Sequence, residues 1–114
     1  MLEEVTVEDK DIIEDKKINI DDFPTAKDMK VMSKLKYLEI YKIESAKLIA
    51  LIIKNILSNA KKGELSMEIT IPKNHCAIEA TIKKAVDFFE NRGYHIRATD
   101  LIPSNYFEIF VAWE

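Results

Sequence analysis

Cysteine, glycine and histidine are scarce in this chain, and each scarcity narrows the classes of protein it can belong to. Among 114 residues there are one cysteine, two glycines and two histidines. The single cysteine, Cys76, cannot form an internal disulfide, so the sequence gives no sign of an oxidising compartment and a reducing cytoplasm is expected. Both glycines follow predicted helices, which leaves none for a phosphate-binding loop.

Long apolar runs are also missing. The most apolar segment, Ala46 to Leu57, contains Lys47 and Lys54 and is shorter than the roughly 20 residues of a membrane helix. The chain begins MLEEVTVEDKD, which is acidic, whereas a signal peptide begins basic and continues apolar. The sequence therefore predicts a soluble, unprocessed protein without a membrane partner.

Charge is distributed unevenly along the chain. The net charge is -3, and residues 1–22 hold nine acidic side chains against three lysines, a sum of -6 that leaves +3 for the remainder. We expect residues 1–23 to be an acidic flexible arm that is solvated, folded back on the body or offered to a basic partner. Residues 24–114 are expected to form one α+β domain.

A long helix is predicted after Pro24. Thr25 and Asp28 have the spacing of a capping box, so the helix should begin at Ala26. Apolar residues recur at helical spacing as far as Gly63, which can adopt the left-handed stop conformation, so the helix could reach about 37 residues. The expected core-facing stripe consists of Leu35, Leu38, Ile49, Ile52, Ile53 and Ile56.

The rest of the chain predicts a strand, a second helix and a hairpin. Residues 65–72 alternate between apolar and polar side chains and stop at Pro72, as a strand with one exposed face does. Asn74 is predicted to cap a helix that ends at Gly93. Residues 94–102 and 106–113 are predicted strands joined by the turn-forming Pro-Ser-Asn.

This order of elements predicts an α+β two-layer sandwich with a three-stranded mixed sheet, because a strand, a crossover helix and a strand favour parallel pairing. The expected inner face of the sheet is Met67, Ile69, Ile71, Tyr94, Ile96, Ala98, Phe107, Ile109, Val111 and Trp113. The expected outer face is Glu68, Thr70, His95, Arg97, Thr99, Tyr106, Glu108 and Phe110.

The succession of PTAKD, NAKKGELSMEITIP, FFENRGYHIRA and YFEIFVAW resembles a group of small bacteriophage proteins of unknown function, over about residues 24–114. The similarity lies in helix starts, glycine-ended helices and a final hairpin that closes near a tryptophan, and Ala112 stands where serine is more usual. The resemblance implies a viral origin and a small α+β fold. It carries over no catalytic residue.

Cys76 lies beside His75 in IPKNHCAIEA, with Glu79 three residues later. On a helix opened by Asn74, the cysteine and histidine side chains would point about 100° apart, so they would not share the hydrogen bond that a nucleophile and its base need. A metal site needs three or four ligands, and the sequence contains no paired ligand spacing. We therefore expect neither an enzyme nor a cofactor nor a metal site.

Two surfaces are predicted to bind partners. Ile40, Ile43 and Leu51 fall on the side of the long helix that should be polar, which predicts a homo-oligomer. On the outer face of the sheet, aromatic rings beside arginine have the composition of binding hot spots. The predicted residues there are His95, Arg97, Tyr106 and Phe110. Lys27, Lys30 and Lys34 form a basic stripe, but the slight charge of the body argues against a nucleic-acid partner.

Three functions follow from these features. The first is a non-enzymatic phage protein that binds a host or defence factor in the host cytoplasm. The second is a virion structural component, such as a small decoration or tail protein, which would be present in purified particles. The third is a small-ligand trap that holds a nucleotide between protomers through Arg97, His95 and stacked tyrosines, and nucleotides would then raise its thermal stability.

Overall fold

The computed structural model of the chain describes residues 20–114, so most of the predicted acidic arm lies outside the described residues. A short 3₁₀ helix at Ile20–Asp22 is followed by two α-helices and three β-strands. These are α1 (Ala26–Lys61), β1 (Ser66–Pro72), α2 (Ile78–Glu90), β2 (His95–Asp100) and β3 (Tyr106–Ala112). The predicted α+β class and element order are confirmed, whereas the two-layer arrangement and the domain boundary at residue 24 stay predictions.

Helix α1 begins and ends as predicted. The Thr25 amide donates to Asp28 Oδ2 (3.4 Å), and the Asp28 amide donates to Thr25 Oγ1 (3.2 Å), which is the reciprocal capping box. The helix has 36 residues, close to the predicted maximum, and is therefore about 54 Å long. Gly63 follows it with a φ of 84°. The chain divides into two compact units after Ser33, and the sheet and α2 belong to the second, Lys34–Glu114.

The sheet has the order β1-β3-β2, and both pairings are antiparallel. The prediction of a mixed sheet with β1 and β2 paired in parallel was wrong, since β3 lies between them. The predicted hairpin of β2 and β3 is confirmed. In the central position β3 has hydrogen-bonded neighbours on both sides and buries Phe107, Ile109 and Val111, while the more polar β2 takes an edge, where charged residues are tolerated.

One hydrophobic core joins the inner face of the sheet to both helices. Helix α1 contributes Leu48, Ile52 and Ile56, and helix α2 contributes Ile82, Ala85 and Phe89. All ten residues predicted for the inner face are buried or half-buried, which confirms the alternation read from the sequence. The core therefore lies on one side of the sheet and leaves the other side accessible.

The predicted core stripe of α1 was only partly right. Ile52 and Ile56 are buried and Ile49 is half-buried, but Leu35, Leu38 and Ile53 are 63%, 49% and 39% exposed. No described residue of α1 before Ser45 is buried. A seven-residue strand is only about 23 Å long, less than half the length of the helix, so the sheet covers just the second half of α1.

Helix α2 begins later than predicted, and Asn74 is not its cap. The N-cap position is Ala77, which makes no side-chain capping bond, and the helix starts at Ile78. The Lys73 amide donates to the Asn105 carbonyl (2.8 Å), which continues the contact of β1 with the hairpin beyond Pro72. His75 Nδ1 then accepts a hydrogen bond from the Ala77 amide (3.2 Å), so residues 75–77 form a turn rather than the first turn of the helix.

Candidate functional site

The outer face of the sheet brings together the arginine and the phenylalanine that the sequence singled out. Phe110 in central strand β3 pairs with Glu68 of β1 on one side and with Arg97 of β2 on the other. The guanidinium carbon of Arg97 lies 4.9 Å from the centroid of the Phe110 ring, a cation–π contact. The strand register thus produces a preformed pair of an aromatic ring and a cation.

Alternation along β3 explains why this pair faces away from the core. Ile109 and Val111 are fully buried on the inner face, so Phe110 between them must point to the opposite side. His95 precedes Arg97 by two residues on the same face, and Tyr106 lies four residues from Phe110, about 13 Å along the strand. All four predicted residues share one face, but only Arg97 and Phe110 are shown in contact.

Charge on this face is arranged around the Phe110 ring. Glu68 on the β1 side and Arg97 on the β2 side are exposed, and Glu108 is half-buried in the next row of the sheet. Among residues 20–114, none of these three side chains takes part in an ion pair. Around the Phe110 ring the face therefore has a positive group on the β2 side, a negative group on the β1 side and a second carboxylate in the next row of β3.

The second predicted surface, on α1, is also accessible. Ile43 and Leu51 are 46% and 42% exposed, and Ile40 is half-buried. Leu51 borders a cavity of about 150 Å³ that His75 and Lys47 also line. Ile40 and Leu51 are about 16 Å apart along the helix axis, and Ile43 lies on a different side by roughly 60° to 80°. The use of these residues in self-association stays a prediction.

The structure places His75 and Cys76 in the turn before α2. His75 Nδ1 is occupied by the Ala77 amide, and Cys76 is exposed. Within residues 20–114 no cluster of three or more His, Cys, Asp or Glu side chains is placed to hold a metal ion.

Sequence reasoning missed an exposed apolar surface on α1. The helical pattern predicted that Leu35, Leu38 and Ile53 face the core, and it gave no role to Leu57, which is 56% exposed. The length of the predicted helix was the signal that could have revealed this surface. The helix is longer than any predicted strand, so a core formed with the sheet can cover only part of it.

Comparison of the chain with models of protein families, with curated proteins and with solved structures finds no match. The resemblance to small phage proteins therefore stays a prediction from the sequence. Neither of the α-helices in the described part of the chain is long and apolar enough to cross a membrane.

Proposed function

We propose that this protein is a non-enzymatic binding protein that recognises a protein partner through the outer face of its sheet. The observation that carries the proposal is the stacking of Arg97 on Phe110 on an accessible face. Arginine and aromatic side chains are enriched among the residues that contribute most to binding at protein interfaces. Tyr106, which is 47% exposed, adds a second aromatic group to the same face.

The chemistry of the face defines the kind of partner. An apolar side chain of the partner would pack on Phe110, an acidic group would meet Arg97, and a basic group would meet Glu68 or Glu108. Because Arg97 is already held against the ring, less side-chain entropy is lost when a partner binds. A broad sheet face with charges on either side of an aromatic centre suits a folded protein surface.

The sequence supplies the biological setting of the proposal. Its resemblance to small bacteriophage proteins makes a host or defence protein in the host cytoplasm the proposed partner. If the protein is instead a virion component, mass spectrometry of purified particles will find it in stoichiometric copies.

The test compares two variants of the sheet face with a control on α2. Wild type, Arg97→Ala, Phe110→Ala and Lys83→Ala are used as bait in a bacterial lysate, and the captured partner is then purified for titration calorimetry. Lys83 is exposed and pairs only with Asp87 among the described residues, so its variant should bind like wild type. Arg97→Ala and Phe110→Ala should each weaken binding by at least about 1 kcal/mol.

Circular dichroism and denaturation establish that the variants are folded. Arg97→Ala should leave the free energy of unfolding nearly unchanged, because Arg97 is exposed. If a partner binds both sheet variants as tightly as wild type, the outer face is not the binding surface. If wild type retains no protein at any stage of infection or growth, the proposed class of function is wrong.

A further inference from the structure

One side of α1 carries apolar residues that the core does not cover. Leu35 and Leu38 are 63% and 49% exposed, and Ile53 and Leu57 are 39% and 56% exposed. At 100° per residue, these four side chains lie within an arc of about 100°, and the buried core residue Ile56 lies at one edge of it. Between Lys34 and Lys61 the arc also contains Ala46, Ala60 and Ile49, of which Ile49 is half-buried against the core. We call six residues of this arc the side stripe: Leu35, Leu38, Ala46, Ile49, Ile53 and Leu57.

The four exposed large residues of the side stripe are nearly symmetric about Ala46. Leu35 precedes Ala46 by eleven residues and Leu57 follows it by eleven, while Leu38 precedes it by eight and Ile53 follows it by seven. Eleven residues are close to three full helical turns, so the stripe runs almost straight along the helix. A second copy of α1 that crosses antiparallel at Ala46 would therefore place Leu35 against Leu57 and Leu38 beside Ile53. The small side chain at the crossing point allows the two helices to approach closely.

The two halves of α1 differ in how far the core covers them. Among the residues Lys34 to Glu44 none is buried, whereas Leu48, Ile52 and Ile56 fix the second half of α1 to the core. In an antiparallel pair centred on Ala46, the uncovered half of each α1 lies beside the core-bearing half of the other. A groove of about 210 Å³ is present there, lined by Ile53 and Leu57 of α1 and by residues near the end of α2 that include Phe88, Arg92 and Tyr94.

From this symmetry we propose that the protein forms a two-fold homodimer in which the side stripes of two α1 helices pack antiparallel, with Leu35 and Leu38 of each protomer in the groove of the other. A C2 interface uses the same patch on both protomers, as a stripe symmetric about one residue requires.

Charge favours the antiparallel orientation over the parallel one. Lys42 lies within the arc of the side stripe and is exposed. In a parallel pair the two Lys42 ammonium groups would face each other, whereas in the antiparallel pair each faces Ala50 of the other helix. Glu39 comes opposite Ile53, beside Arg92, whose guanidinium is held 3.7 Å from the centroid of the Phe88 ring. Opposite charges therefore meet at the edge of the antiparallel interface.

The size of the stripe sets the expected affinity. Residues 35–57 span about 33 Å, and at a helix width of about 10 Å each α1 contributes roughly 350 Å², to which the groove edges add. A standard interface buries about 800 Å² per partner. We therefore expect a dissociation constant in the micromolar range rather than the nanomolar range.

Sedimentation equilibrium between about 10 μM and about 1 mM covers this range of dissociation constants. Leu38→Glu and Leu57→Glu should weaken the dimer at least about tenfold, since each places a charge in the buried stripe. Ile43→Glu is the matched control, because Ile43 is 46% exposed on the same helix but outside the stripe. Circular dichroism confirms that each variant keeps its helix content. If Ile43→Glu dissociates the dimer and the stripe variants do not, the interface is the Ile40, Ile43 and Leu51 surface and the proposal is overturned.

Cysteine cross-linking tests the orientation with smaller changes. In a Cys76→Ser background, Ala46→Cys alone should form a disulfide-linked dimer, because the two-fold axis passes near residue 46. Leu35→Cys mixed with Leu57→Cys should cross-link faster than either variant alone. Efficient cross-linking of Leu35→Cys with itself would indicate a parallel pair, and a wild-type protein that is monomeric at about 1 mM would rule out the dimer.

Discussion

At the scale of single residues, two buried hydroxyl groups are the least expected feature of the core. Ser45 on α1 and Thr81 on α2 are 3% and 1% exposed. Neither hydroxyl oxygen makes a hydrogen bond within the part of the chain that the structure describes. Burying a hydroxyl without a partner costs roughly 1 to 3 kcal/mol. We therefore expect both hydroxyl groups to lower the stability of the fold.

Thr81→Val is expected to raise the free energy of unfolding by about 1 kcal/mol, because valine keeps the shape of threonine and removes the unpaired hydroxyl. Urea denaturation measures the change. Thr81→Ser is the control, since it keeps the hydroxyl, removes a buried methyl and should lower stability by about 1 kcal/mol. A valine variant less stable than wild type would mean that the hydroxyl is hydrogen-bonded, by water or by residues 1–19.

Lys73 is a second residue whose role only the structure reveals. Its ammonium group forms an ion pair with Asp100, donates to the Ser104 carbonyl (3.1 Å) and lies 5.1 Å from the centroid of the Phe107 ring. These contacts join the end of β1 to the β2–β3 hairpin. No sequence pattern indicated them, because Lys73 and Asp100 are 27 residues apart.

At the scale of elements, both helices end in the same motif. After α1 the Gly63 amide donates to the Ala60 carbonyl and the Glu64 amide to the Asn59 carbonyl, each at 3.0 Å. After α2 the corresponding bonds join Gly93 to Glu90 (3.0 Å) and Tyr94 to Phe89 (3.1 Å). These pairs of bonds define the Schellman motif, which needs a left-handed residue just beyond the helix. The Tyr94 and Phe89 rings, 5.6 Å apart, supply the apolar contact that often accompanies it.

Gly63→Ala and Gly93→Ala are each expected to lower the free energy of unfolding by about 1 to 2 kcal/mol, the cost of a left-handed conformation for an L-residue. The φ angles are 84° and 89°, and an added Cβ would meet no atom within 4 Å at either position. Because the cost is confined to the backbone, the asparagine variants should lose less stability than the alanine variants. Equal losses for alanine and asparagine, measured by urea denaturation, would contradict this explanation.

At the scale of the whole molecule, the described core draws on residues from Leu48 to Val111 only. Ile109 is at its centre, fully buried in β3 and paired with Ile69 on one side and Ala98 on the other. Leu35, on the uncovered half of α1, is 63% exposed. We infer that, within Lys34–Glu114, the stability of the fold comes from the second half of α1, from α2 and from the sheet.

Ile109→Ala should therefore lower the free energy of unfolding by about 2 to 5 kcal/mol, the range for truncating a buried aliphatic side chain. Leu35→Ala should change it by less than about 0.5 kcal/mol when measured at a concentration below the dissociation constant expected for the proposed dimer. A large loss of stability for Leu35→Ala under those conditions would show that another part of the chain covers the first half of α1.

Most features that the sequence predicted correctly depend on neighbouring residues. The Thr25 and Asp28 capping box, the glycine stops at Gly63 and Gly93 and the alternation within each strand involve groups at most six residues apart. Local conformational preference and side-chain period are properties of short segments, so they can be read without the fold. Alternation also put Arg97 and Phe110 on one face.

Other features depended on contacts between distant parts of the chain. Strand order is one of them, because the more apolar β3 takes the central position and the more polar β2 takes an edge. The resulting pairing of Ile69 with Ile109 joins residues 40 positions apart. The same register, not the alternation, brings the Arg97 guanidinium to 4.9 Å from the Phe110 ring centroid. Which half of α1 is covered depends on the length of the sheet. Apolar residues recur along the whole helix, whereas a seven-residue strand is only about 23 Å long at about 3.3 Å per residue. Helical periodicity identifies residues able to pack against a core, but only the position of the partner surfaces determines which of them do.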